Sequence, residues 1–211
     1  MRGLARIHWT WLAVVLSGCA ADHSMRAVDS YNRQGIAALA QNDALAAQRH
    51  FEQALQRKPH DPNSLYNLAT ALHHQGRHEA AEQCYNECLA LDSDHAAARH
   101  GRAVLLMTLG RDREVVDQTE RWLARSPQSA AAHAEMGWLL RQRGNLPAAQ
   151  AHLQRAVELD SRNVRALVEL GHLYETYRFP DRARVLYRQA LDIDPAQTEA
   201  HARLTALTRQ G

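Results

Sequence analysis

Lysine is almost missing from this chain of 211 residues: Lys58 is the only one among 25 basic residues. Nothing in a fold requires that, and it reads as coding bias. Glycine and proline are also sparse, at 10 and 6. With 45% hydrophobic and 23% charged residues, this scarcity excludes a disordered chain and suits a helix-rich one. An excess of charge is lacking too. Arg2 and Arg6 lie in a leader argued below to be removed, and without them 23 basic residues face 23 acidic ones. A balanced chain has no electrostatic footprint for nucleic acid or an anionic bilayer. No apolar run is long enough to span a membrane: residues 7–16 supply about half of the roughly 20 residues required. Catalytic motifs are missing as well, with no glycine-rich phosphate loop, no serine nucleophile elbow and no His-Glu-x-x-His. We therefore expect no enzyme, no cofactor and no small-molecule substrate.

What is present begins with a positive segment at residues 1–6, then the short apolar core, then small residues: the layout of a secretory signal. It ends in Leu16-Ser17-Gly18-Cys19. This resembles the lipobox of bacterial lipoproteins at all four positions. The resemblance implies cleavage after residue 18, with a diacylglyceryl group and an acyl chain on Cys19. Only a thiol forms the thioether, and small residues leave room for the peptidase. Two or three acyl chains anchor stably where one does not. Ala20, where inner-membrane retention would favour Asp, implies the outer membrane, facing the periplasm.

The rest of the chain repeats every 34 residues. Windows open at Val28, Pro62, Ala96, Ala130 and Val164, with no insertion. Position 8 holds Gly35, Ala69, Ala103, Gly137 and Gly171; position 20 holds Ala47, Ala81, Val115, Ala149 and Ala183. Position 24 reads Phe51, Tyr85, Thr119, Leu153, Tyr187; position 27 reads Ala54, Cys88, Trp122, Ala156, Ala190. Position 32 reads Pro59, Ser93, Pro127, Ser161, Pro195. This resembles the tetratricopeptide repeat over residues 28–197, about four-fifths of the chain. The implied fold is all-α, a right-handed superhelical solenoid of five helical hairpins with a capping helix. The expected organisation is a signal peptide at 1–18, a lipidated tether at 19–27, repeats at 28–61, 62–95, 96–129, 130–163 and 164–197, and a cap at 198–211. Hairpins of this kind bury their apolar faces only by stacking, so the open end needs the cap. There we expect Ala202, Leu204 and Leu207 inward, and Arg203, Arg209 and Gln210 outward. Proline at 32 ends a second helix, while Pro147 and Pro180 suit the first turn of one. The third window departs most, with Thr119 and Trp122 exchanging large and small and with Arg99 and Arg102 at apolar places. Local distortion is expected there.

Cys84 and Cys88, one helical turn apart, have poor geometry for a bridge, and two thiols are expected. A zinc site with His78 matches no ligand template. The thirteen histidines scatter over repeat positions: His133 and His201 share position 4, and His50 and His152 share position 23. No metal is expected.

The resemblance implies a concave groove built from positions 2, 5, 6, 9, 12 and 13 of each first helix. Its candidate partner-binding residues are Arg33, Asn63, Tyr66, Asn67, His73, His100, Met107, Trp138, Arg141 and His172. Tyr66 and Trp138, the latter read as exposed, would anchor apolar side chains, and Asn67 would bond a peptide backbone. Ile36 takes one amide place of the carboxylate clamp of chaperone adaptors, and no groove lysine exists, so an acidic chaperone tail is not the expected ligand. The expected partners are protein or peptide segments of a membrane-associated complex. The extended tether from residue 20 to 27 reaches at most roughly 26 Å, which keeps the repeats near the membrane. Small lipoproteins of this layout resemble those of pilus and secretion systems, such as the assembly lipoproteins of tight-adherence (Flp) pili and the type IV pilus pilotins. Scaffolding of β-barrel assembly or of peptidoglycan hydrolases is the alternative. A lipid-anchored receptor for a soluble ligand or metal is a further one.

Overall fold

The computed structural model describes residues 25–209. All regular structure among them is helical. Helix α1 spans 25–40, followed by α2 (Ala44–Arg57), α3 (Pro62–His74), α4 (His78–Leu91), α5 (Ala96–Thr108), α6 (Asp112–Arg125), α7 (Ala130–Gln142), α8 (Leu146–Leu159), α9 (Val164–Thr176), α10 (Pro180–Ile193) and α11 (Thr198–Arg209). From α3 to α11 the first helix of each repeat starts 34 residues after the last, at Pro62, Ala96, Ala130, Val164 and Thr198. Residues 25–27, read from sequence as tether, already belong to α1, and Val28 is buried.

Local chemistry sets these boundaries. Asp43, Asp61, Ser129, Asn145 and Asn163 each accept a hydrogen bond from the backbone N–H three residues on, satisfying a donor that the first helical turn leaves unpaired. Pro62, Pro147 and Pro180 stand in first turns, where a missing N–H costs nothing. Pro59, Pro127 and Pro195 follow the ends of α2, α6 and α10 by two residues. Position 15 of every repeat turns the chain through positive φ: Asn42, Gly76, Gly110, Gly144 and Arg178. Only glycine adopts this region without strain, so Arg178, at φ 62°, carries some.

The chain divides into two compact units at Leu109 and Gly110, between the helices of the irregular third repeat. In the first unit, Ala47, Phe51 and Ala71 form one buried cluster, and Leu65, Leu72, Ala81, Tyr85, Cys88, Ala98 and Leu105 belong to another. In the second, Leu167, Val168, Ala183, Tyr187, Ala190, Ala200 and Leu207 pack together. Small residues at position 8 make room for the large one at position 24. A Cβ on Gly35 would lie 2.3 Å from Phe51, on Gly137 2.5 Å from Leu153, and on Gly171 2.5 Å from Tyr187. The second repeat has Ala69 there, and its Tyr85 lies against Gly101 of the next repeat, the hydroxyl oxygen 2.6 Å and the ring 2.7 Å from a Cβ placed on it. The third repeat moves its bulk one turn along the helix: Trp122 and Thr119 are both buried, and the Thr119 hydroxyl bonds back to the Val115 carbonyl at 2.8 Å. Arg99 and Arg102 are half-buried there, donating to the Ser93 carbonyl and to Asn86.

At the cap the sequence reading is corrected. Ala202 is exposed and Ala200 takes the buried place, beside Leu207. Arg203 is drawn to the half-buried Glu175 of α9. A charged side chain reaching an unscreened carboxylate outweighs the pattern of alternating polarity. Gln210 lies outside the described residues.

Candidate functional site

The groove residues separate into two sets. In the first unit, α1, α3 and the start of α5 enclose a cleft of about 760 Å³, lined among others by Asn32, Arg33, Asn63, Tyr66, Asn67 and His95. Four of the ten candidates meet here. Asn63 and Asn67, four apart on α3, share one helix face.

A chain of hydrogen bonds orients the amides. Lys58 holds Asp61 at 2.7 Å, and the Ser64 hydroxyl donates to Asp61 Oδ2 at 2.8 Å. Burial alone would raise Asp61, but the bonds from Lys58 and Ser64 hold its carboxyl below the usual range. Asn32 Nδ2 donates to the Ser64 hydroxyl at 2.9 Å, and Asn67 Nδ2 reaches Asn32 Oδ1 at 3.4 Å. That last bond is long, so Asn67 gives up little in turning to a ligand.

His95, not singled out from the sequence, caps α5. Its Nδ1 accepts from the Ala98 N–H at 3.1 Å, so its Nε2 carries the proton and donates to Asn63 Oδ1, also at 3.1 Å. The Tyr66 ring lies over it with centroids 5.4 Å apart. The signal that would have found His95 is its place directly before the periodic apolar run of α5. Arg33 is exposed on α1. The cleft thus offers amides and a guanidinium for a backbone and a carboxylate, beside an aromatic floor.

In the second unit the inner-face residues are spent on one another. Glu135 meets Arg165 at 2.6 Å, and Arg141 meets Glu169 at 2.8 Å. Glu175 bonds Arg203 and takes the Tyr187 hydroxyl at 2.6 Å. His172 Nε2 lies 2.8 Å from Glu199. The spacing is regular: position 12 meets position 6 of the next first helix twice, with the charges exchanged between the two rungs. Burial would raise Glu175, but Arg203 and Tyr187 more than offset it and keep the carboxylate ionised. Trp138 is buried, with the Arg165 guanidinium 5.6 Å over its ring. Its reading as an exposed anchor is therefore corrected: the position-2 arginine of the next repeat covers it. Arg141 and His172 are half-buried in the ladder.

The remaining candidates stand outside the cleft. His73 is half-buried with its ring against His78, at 5.7 Å, and its pKa is lowered by burial and then by His78 and His74. His100 and Met107 are half-buried on α5. Cys19 and the residues read as a leader before it lie outside the described residues. Cys84 and Cys88 are free thiols, each pushed up to about 11 by burial. Such thiols stay protonated and are poor nucleophiles.

Two family models match, one described as tetratricopeptide repeat over residues 32–96 and one as TPR repeat over residues 137–176. The chain carries tetratricopeptide repeats. No curated protein matches it. Solved structures share the fold. The thermophilic TPR protein TTC0263 of Thermus thermophilus has a TM-score of 0.64 at 21% identity, covering 86% of this chain and 99% of that one. Yeast Tom70 has a TM-score of 0.67 at 17%, covering 87% and 39%. The pilF protein of Pseudomonas aeruginosa has 0.56 at 17%, covering 89% and 91%. At these identities the likeness is one of fold. Tetratricopeptide repeats are protein-interaction scaffolds, and protein partners follow for this chain.

Proposed function

We propose that the protein is a lipid-anchored tetratricopeptide scaffold on the periplasmic face of the outer membrane. Its N-terminal unit holds an extended partner segment during assembly of a pilus or secretion complex. One observation carries the binding part: Arg33, Asn63, Tyr66 and Asn67 meet around one cleft with hydrogen-bonding capacity to spare, whereas the inner face of the second unit is tied up in its own ion pairs. The anchor rests on Leu16-Ser17-Gly18-Cys19. The assembly role is supported by the pairing of a lipobox with a short repeat array, and by the fold shared with pilF.

Cross-linking in membranes, followed by identification of what is joined to the cleft, tests this reading. Wild-type protein should sediment with outer membranes and cross-link to a component of such a complex through a photoreactive residue at Asn63. Cys19→Ser should leave the membrane fraction. A wild-type protein found with Cys19 unmodified, or a cleft that cross-links to nothing while other faces do, contradicts it.

A further inference from the structure

Two histidines of the second unit face one another away from the inner-face ladder. His133 on α7 and His152 on α8 are both half-buried, and their Nδ1 atoms stand 3.1 Å apart, with ring centroids at 5.2 Å. Nε2 of His133 lies 3.1 Å from the Pro127 carbonyl oxygen. A carbonyl only accepts, so Nε2 carries the ring proton and Nδ1 presents a lone pair towards His152. His201, at the same repeat position, makes the same bond to Pro195 at 2.9 Å. The carbonyl bond is thus a feature of the repeat, and the second imidazole at His133 is an addition to it.

Two ring nitrogens facing at this distance are satisfied in two ways. His152 turns an Nδ1–H towards His133, or both lone pairs share a cation. Metal–imidazole bonds of about 2.0–2.1 Å meeting at about 100° span roughly 3.1 Å, the separation seen here. A ligating histidine ordinarily gives its other N–H to a carbonyl or carboxylate, as His133 does to Pro127. We propose that His133 and His152 form a two-imidazole site for a divalent transition-metal ion such as zinc, with water completing the coordination. Among the described residues no group of three His, Cys, Asp or Glu side chains gathers in one place. A pure nitrogen pair favours zinc, nickel or copper over calcium and magnesium, which require oxygen ligands. The site is independent of the cleft of the first unit.

The test is calorimetric titration of the chelator-stripped full chain with zinc chloride alone, beside His133→Ala, His152→Ala and His201→Ala. Wild type should bind one zinc equivalent that the first two variants lose or bind more weakly. The weakening should be at least the roughly tenfold that removing even an outer-shell partner costs. His201→Ala should keep that equivalent. Nitrogen-15 spectra of the wild-type imidazoles decide the matter should an alanine variant fail to fold: zinc must shift Nδ1 of both rings. Zinc binding unchanged in a folded His152→Ala variant, or Nδ1 resonances that zinc leaves in place, overturns the proposal and leaves the pair a hydrogen bond.

Discussion

Gly171→Ala sets two physical effects against each other, and the structure decides the sign. Gly171 lies inside α9, where alanine is favoured over glycine by about 0.8–1 kcal/mol in helix propensity. An alanine Cβ there would stand 2.5, 2.7 and 3.0 Å from three ring atoms of Tyr187. Ordinary contact begins near 3.4 Å, so the ring must retreat by close to an ångström. It has little room, because Tyr187 is fully buried and its hydroxyl is fixed to Glu175 at 2.6 Å. Overpacking of this kind costs about 1–3 kcal/mol, and loosening a hydrogen bond to a charged group about 1.5–3 more if it breaks. Net destabilisation of about 2 kcal/mol is expected, with propensity outweighed. Urea denaturation followed by tryptophan fluorescence reads this directly. Beyond Trp9 and Trp11, the only tryptophans are Trp122 and Trp138, in the same unit as Gly171. In a Tyr187→Ala background the clash is gone, and Gly171→Ala should stabilise by close to the propensity term, a coupling that a double-mutant cycle isolates. A rise in the urea midpoint on Gly171→Ala in the otherwise wild-type protein would refute the reasoning.

Trp138→Ala should lower stability by about 3–5 kcal/mol in the same denaturation assay, because it empties a buried site and removes the ring beneath Arg165; a loss under about 1 kcal/mol would return Trp138 to the exposed set. Arg178→Gly should stabilise by about 1 kcal/mol by relieving a left-handed backbone, and unchanged or reduced stability would show that the turn holds no strain. Cys84 and Cys88 should both be alkylated after unfolding without reductant, read by mass spectrometry, and modification that appears only after reduction would mean a bridge in the native protein.

The 34-residue phase was legible because packing at positions 8, 20, 24 and 27 tolerates few side chains, and those side chains recur. Each helix start from α3 to α11 falls in that phase, since caps and first-turn prolines recur with it. What the pattern hid is the choice of partner for long side chains. Both aromatics read as groove anchors lie on first helices, yet Tyr66, at position 5, borders a cleft and Trp138, at position 9, is buried. The difference is Arg165, whose length lets it reach back over the indole and on to Glu135. Arg203 defeats the polar-outward reading of the cap in the same way. The histidines looked scattered because their roles are set by what lies six residues earlier: His133 and His201 each follow a proline whose carbonyl they bind. Position 15 was readable as Gly76, Gly110 and Gly144, but Asn42 and Arg178 interrupt the run.

The central claim is that the cleft of the first unit binds a partner while the ladder of the second holds structure. The most direct measurement is recovery of cross-linked partners from membranes by wild-type protein and by Arg33→Ala/Asn67→Ala, with the melting curve of each recorded. Arg33 is exposed and Asn67 makes a single long bond, so the variant should keep its stability to within about 1 kcal/mol. It should lose about 2 kcal/mol or more of partner binding, seen as recovery falling at least tenfold. Unchanged recovery by a variant that melts with the wild type would contradict the account and move the binding surface elsewhere on the repeats.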